Sequence, residues 1–251
     1  MNPSAAVGII CKTPRPGASK TRLLPLLGPE GAAELAGCFL IDVANAIQAI
    51  PQAVGRRGYA VYAPEGSEAD LKKYLPADFG LHCRRDATLG VVLLGATEHL
   101  IAEQHDCVVL VNADSPTLPT DLISAAIAAL RETGDRVVLG PASDGGYYLI
   151  GLKRAHARLF ADIPWSTPEV LETTLQRAGE IGLSTRLLPL WYDVDEAETF
   201  DQLLEELGSG TLPFKSDGLA GGPAIATRRF LRRYLDVGDR LGRVDKMANR
   251  K

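Results

Sequence analysis

The chain has 251 residues, 46% of them hydrophobic and 23% charged, with a formal net charge of -4. That length suffices to bury one large core, and the acidic balance argues against general nucleic-acid binding, while no uninterrupted apolar run approaches the roughly 20 residues that a bilayer span needs. The four cysteines fall singly in apolar runs with no C-x-x-C pair, and the stretch MNPSAAVGIICK reads as a first strand instead of a signal peptide, so a cytoplasmic protein with reduced, buried thiols and no zinc site is expected.

In chain order, short apolar runs alternate with longer segments of helical period. The runs are AVGIIC (6–11), YAVYA (59–63), LHCRR (81–85), CVVLVN (107–112), RVVLGP (136–141), YYLIGL (147–152) and STRLLPL (184–190). Between them, residues 31–50, 68–75, 89–104, 118–132, 167–181 and 196–207 repeat apolar side chains every three or four positions, which gives each helix one face to lay on a sheet. The alternation predicts an α/β fold, a mostly parallel central sheet flanked by helices, in one domain over 1–207. Thr167 before Pro168 reads as a helix N-cap.

Three loops leave strand ends, where open α/β sheets bind their ligands. The first, CKTPRPGASKTRL (11–23), carries Lys12, Arg15, Lys20 and Arg22 with no acid and has Gly17 where backbone must come close; it suits a multiply charged anion such as a diphosphate, or else is a solvated basic turn. Pro14 and Ser19 stand where a Walker A loop would need glycine, which sets aside a P-loop NTPase. The second, VNADSPTLP (111–119), puts Asp114 at the end of an apolar strand. A carboxylate there needs a cation, such as Mg2+ bridging to phosphate, unless it only shapes a turn. The third, GPASDGGYYLIGL (140–152), presents Asp144 before Gly145 and Gly146, as a general base or as plain turn chemistry. In WYDVDEAETF (191–200), Asp195 is a second metal-ligand candidate or a helix cap. No G-x-S-x-G occurs, which disfavours a serine hydrolase.

Taken together, K-x-P-x-P-G-x-x-K-T-R-L at 12–23, D-S-P at 114–116, the 140–152 loop, P-W-S-T at 164–167 and Y-D-V-D at 192–195 resemble the bacterial GT-A-type transferases linked to arsenosugar and selenosugar biosynthesis, relatives of nucleotide-diphosphosugar transferases. The resemblance spans residues 5 to about 207. It implies a Rossmann-like GT-A domain, a nucleotide-sugar donor with a small-molecule acceptor, and a divalent cation (Mg2+ or Mn2+). It assigns Lys12, Arg15, Gly17, Lys20 and Arg22 to the nucleotide and its diphosphate. Asp114 and Asp195 fall to the metal, with Asp144 and Asp114 as catalytic groups, and Gly145, Gly146, Trp165, Ser166 and Thr167 line the sugar and acceptor. Two departures stand out: the first acid of the usual D-x-D is Asn112, and the usual L-G-x-R reads Leu89-Gly90-Val91-Val92, leaving Arg84 or Arg85 to supply the arginine.

Residues 208–223 are dense in Gly, Pro and Ser and read as a linker. Beyond it, 224–251 hold nine Lys or Arg against three Asp, and Phe230, Tyr234, Val237, Leu241 and Val244 form one apolar stripe on a basic amphipathic helix. Such a helix docks on its own domain, forms a homodimer contact, or meets an anionic surface.

Overall fold

The computed structural model describes residues 4–84, 88–216 and 218–234. Its strands are β1 (Ala5–Lys12), β2 (Arg56–Ala63), β3 (Gly80–Cys83), β4 (Cys107–Asn112), β5 (Arg136–Pro141), β6 (Tyr147–Leu152) and β7 (Ser184–Leu187). The helices are α1 (Leu24–Gln48), α2 (Glu68–Leu71), α3 (Leu89–Ala102), α4 (Thr120–Arg131), α5 (Val170–Glu180), α6 (Ala197–Ser209) and α7 (225–234).

The strands form one sheet in the order β3-β2-β1-β4-β6-β5-β7, and every neighbouring pair is parallel except the two made by β6. The mostly parallel sheet is therefore as expected, with one reversed strand inside it. Because β6 alone runs backwards, the β5–β6 loop lies at the same end of the sheet as the loops that follow β1, β4 and β7. All the chemistry-bearing loops thus meet at one edge.

Strand alternation builds two cores. Val7, Ile9, Val109 and Val111 face one side, where they meet α1, α4 and α6 through Phe39, Ile127 and Phe200; Ala6, Val108 and Leu110 face the other and meet α3 through Leu93 and Leu100. Full burial of side chains such as Phe39 or Phe200 stabilises the fold by about 1.5–3 kcal/mol each. By length and composition the helical stretch Thr21–Gln48 is apolar enough to cross a membrane. Its Leu35, Phe39, Val43 and Ile47 are completely buried against the sheet, as in a core helix. It begins ahead of the expected residue 31, with a kink at Gly28, whose φ of 68° precedes Pro29.

Two local expectations need correction. Helix α5 starts at Val170 with Glu169 at its N-cap, so Thr167 does not cap it; its hydroxyl instead donates to the Pro164 carbonyl and closes the preceding turn. Helix α6 is capped by Glu196, which forms a reciprocal capping box with Thr199, leaving Asp195 uncommitted to helix capping.

The 208–223 segment lies along the domain. Phe214 packs edge-on to Trp191 at 5.6 Å, and the Gly222 N–H donates to the Thr117 carbonyl at 2.7 Å. Helix α7 is then held by Asp42 of α1, whose two carboxylate oxygens accept from the N–H groups of Ala226 and Thr227 at 2.9 and 2.8 Å. Phe230 and Leu231 join the first core. The start of the tail helix is thus docked on its own domain, while Val237, Leu241 and Val244 lie outside the described residues.

Candidate active site

The β1 loop turns tightly after Cys11. Thr13 is buried and shares a 2.7 Å hydroxyl hydrogen bond with Ser67, and the Ala18 and Ser19 N–H groups fold back onto the Arg15 carbonyl. Gly17 makes the bend at φ 72°, and Lys20 follows in the left-handed region at φ 46°. This conformation sends the Lys20 side chain inward over the Phe39 ring, 5.2 Å from its centroid.

The segment after β7 crosses the open end of the sheet. Trp191 and Tyr192 anchor it in the core, the Val194 N–H donates to the Asp114 carbonyl at 2.9 Å, and the Ser115 hydroxyl donates to the Tyr192 carbonyl at 2.8 Å. These bonds bring Asp195 beside Asp114, 81 positions away in sequence. Their Oδ1 atoms converge on one cation, the Lys20 ammonium, at 2.5 Å from Asp114 and 2.8 Å from Asp195. Burial works against the charge of Lys20, yet the two carboxylates outweigh it and raise the ammonium above the ordinary lysine value.

Two clefts open here. The first, about 400 Å³, is lined by Lys12, Lys20, Arg22 and Arg84, with Asp114 and Asp195 on its floor and Ile10, Ala36 and Leu40 as apolar wall. The second, about 350 Å³, is lined by Asp144, Asp193, Asp195, Glu196 and Glu198 with Arg22 and Phe214. Arg22 and Asp195 border both. Arg22 pairs with Glu196 at 2.8 Å on the surface, where such a pair contributes little.

The remaining predicted residues divide. Asp144 reaches the second cleft, and its carboxylate accepts from the Gly146 N–H at 2.8 Å. Gly145, at φ 90°, lies against Pro168, which follows the Trp165–Thr167 turn: a Cβ there would come within 2.2 Å of the Pro168 carbonyl oxygen. The two segments are locked together, but Trp165 points to Tyr147 and the start of α3 at Gly90, and neither it nor Ser166 nor Thr167 lines a cleft. Arg15 and Gly17 are exposed on the loop and line neither cleft.

One of the two sequence candidates for the missing arginine, and one residue outside the sequence-derived set, enter. Arg84 follows β3 into the first cleft with its Nε buried and without a hydrogen-bond partner among the described residues; Arg85 lies outside them. Asp193 lines the second cleft, where burial first, then the charges of Asp144, Asp195 and Asp114, push its carboxyl up to about 7. The Y-D-V-D motif contained Asp193, but nothing local distinguishes it from a solvated turn residue.

Among the described residues no group of three or more His, Cys, Asp or Glu side chains is arranged to hold a metal ion. The Asp114 and Asp195 carboxylates nevertheless share one cation point, and one or two carboxylates completed by phosphate oxygens suit Mg2+, so this pair fits a divalent ion. Asn112 ends β4 with its Oδ1 buried and unpartnered among the described residues.

The seven-stranded, mostly parallel sheet flanked by helices, with the candidate-site loops at one end, is the GT-A-like fold seen in nucleotide-diphospho-sugar transferases. The model of a bacterial family of uncharacterized proteins, DUF2064, matches residues 46–167. A crystal structure from Desulfovibrio desulfuricans G20, provisionally named a nucleotide-diphospho-sugar transferase, aligns with TM-score 0.74 at 24% identity over 92% of this chain and 97% of that one. CMP:2-keto-3-deoxy-manno-octonic acid synthetase complexed with CTP aligns with TM-score 0.52 at 12% identity, over 80% of this chain and 96% of that one. The 4-diphosphocytidyl-2C-methyl-D-erythritol synthase of Anaerococcus prevotii DSM 20548 aligns with TM-score 0.53 at 10% identity, over 79% and 93%. No curated protein matches the chain.

Proposed function

We propose that the protein is a cytoplasmic glycosyltransferase that holds a nucleoside-diphosphate sugar in the first cleft and passes the sugar to a small-molecule acceptor in the second. The observation that carries this reading is the shared border of the two clefts, where the cations of the β1 loop meet Asp114 and Asp195. Lys12, Lys20, Arg22 and Arg84 supply positive charge against the diphosphate. Such preorganised charge stabilises a leaving group as its negative charge develops, commonly the largest single contribution to catalysis. Asp114 and Asp195 would hold a divalent ion, which supplies Lewis-acid stabilisation of the departing phosphate. Asp144, exposed in the second cleft, takes the acceptor's proton. The arsenosugar and selenosugar association of the sequence motifs belongs to the same proposal.

One observation favours a second reading. The CTP-bound synthetase shares this fold, so the first cleft also suits a nucleoside triphosphate and transfer of a nucleotide to a phosphorylated acceptor. A thermal-shift panel of nucleoside mono-, di- and triphosphates and nucleotide sugars, with and without Mg2+ or Mn2+, separates the two. A ligand at 100 times its Kd stabilises by about 2.7 kcal/mol. Selective stabilisation by one diphosphosugar and its nucleoside diphosphate supports sugar transfer. Stabilisation by triphosphates alone, with release of pyrophosphate on turnover, moves the assignment to nucleotidyl transfer, and no response to any nucleotide overturns both.

A further inference from the structure

The Lys20 ammonium occupies the point on which the two carboxylates converge. It pairs with Asp114 Oδ1 at 2.5 Å and donates to Asp195 Oδ1 at 2.8 Å and to the Val194 carbonyl at 2.7 Å. The side chain is 5% exposed, and the backbone beneath it is held at φ 46°, ψ 49°, a conformation that disfavours a lysine by about 1 kcal/mol or more. The cage is therefore built around this particular cation.

A divalent ion held by the same pair would compete with the ammonium for the two oxygens that it neutralises at 2.5 and 2.8 Å, and two cations sharing one carboxylate pair repel. Exchange requires an anion to receive the displaced ammonium, because a buried charge stripped of its partners is costly. The cleft immediately beside the cage supplies the place for one, with Lys12, Arg22 and Arg84 already on its walls.

We propose that Lys20 is a placeholder cation: the Asp114–Asp195 pair accepts a divalent ion only together with a polyphosphate that draws the Lys20 ammonium out of the cage. The protein accordingly takes up a metal–polyphosphate chelate as one ligand and excludes the free ion. This deepens the transferase reading, on which the identity of the polyphosphate rests, while the exchange itself rests on the cage.

The test is equilibrium dialysis of Mn2+ against the full-length chain at fixed free Mn2+, with and without inorganic pyrophosphate, which carries the diphosphate without a base. Wild-type protein binds Mn2+ alone about tenfold or more weaker than in the presence of pyrophosphate, a coupling of ordinary size. Lys20→Met binds Mn2+ without pyrophosphate, and adding pyrophosphate tightens it less than in the wild type. Equal Mn2+ affinity of the wild type with and without pyrophosphate overturns the proposal even if Lys20→Met fails to fold. So does equal affinity of the wild type and a folded Lys20→Met for Mn2+ alone. Absence of Mn2+ binding in every arm, with nucleotide sugars still stabilising the wild type, also overturns the exchange and leaves the transferase reading standing. Coupled Mn2+ and pyrophosphate binding with no nucleotide response does the reverse.

Discussion

The two clefts share Arg22 and Asp195 yet have opposite character. In the first, carboxylates and cations meet: Asp114 and Asp195 are neutralised by a lysine buried between them. In the second, Asp144, Asp193, Glu196 and Glu198 line the cleft with Arg22, and burial first, then the neighbouring carboxylates, push the Asp193 carboxyl up to about 7. Identical side chains therefore do different work according to whether a cation reaches them. On the proposed reading the first cleft receives the polyphosphate, and the acidic lining of the second suits a neutral or cationic partner.

That contrast breaks most sharply at Asp114. Replacing it by Ala removes half of the cation cage, and turnover in the steady state is expected to fall by about 10²–10³-fold, the scale of losing one preorganised electrostatic group. Circular dichroism should show the fold intact, since the side chain is not part of the core. Normal turnover of Asp114→Ala would erase the functional distinction between the clefts. The next effect concerns the loop that carries Asp144. Gly145→Ala forces a Cβ to within 2.2 Å of the Pro168 carbonyl at φ 90°, and chemical denaturation should report a loss of about 1–3 kcal/mol. An unchanged midpoint would mean that the loop and the Trp165–Thr167 turn are not locked together. The smallest change sharpens the boundary itself: Arg22→Ala breaks an exposed pair and should alter stability by less than about 1 kcal/mol. A raised KM for the donor with little change in kcat would then assign the Arg22 guanidinium to the first cleft.

Much of the fold was readable before the structure. The runs at 107–112, 136–141 and 147–152 coincide with β4, β5 and β6, because buried strands carry their apolar signal in consecutive residues. The helix starts were less legible. Thr167-Pro168-Glu169 has the composition of an N-cap, but the close contact between Gly145 and Pro168 fixes that turn and delays α5 to Val170. The reversed direction of β6 left no mark either, since an apolar run reads the same whichever way it lies in a sheet.

For the candidate site, the residue types and their place at strand ends were legible in the chain alone: a cationic loop after β1, Asp114 after β4, Asp144 after β5 and Asp195 after β7. Local periodicity and turn chemistry act over a few residues and are sufficient for that. How these groups relate to one another was set by the packed fold. It joined Lys20 to Asp114 and Asp195, drew Arg84 and Asp193 into the clefts, and turned Trp165 away toward Tyr147. Those outcomes depend on contacts between segments as far as 175 positions apart, such as Lys20 with Asp195, and on the desolvation that follows when they close. Burial and electrostatic pairing are properties of the assembled fold, so the same lysine that reads as a solvated phosphate ligand becomes, once packed over Phe39, the resident cation of a carboxylate cage.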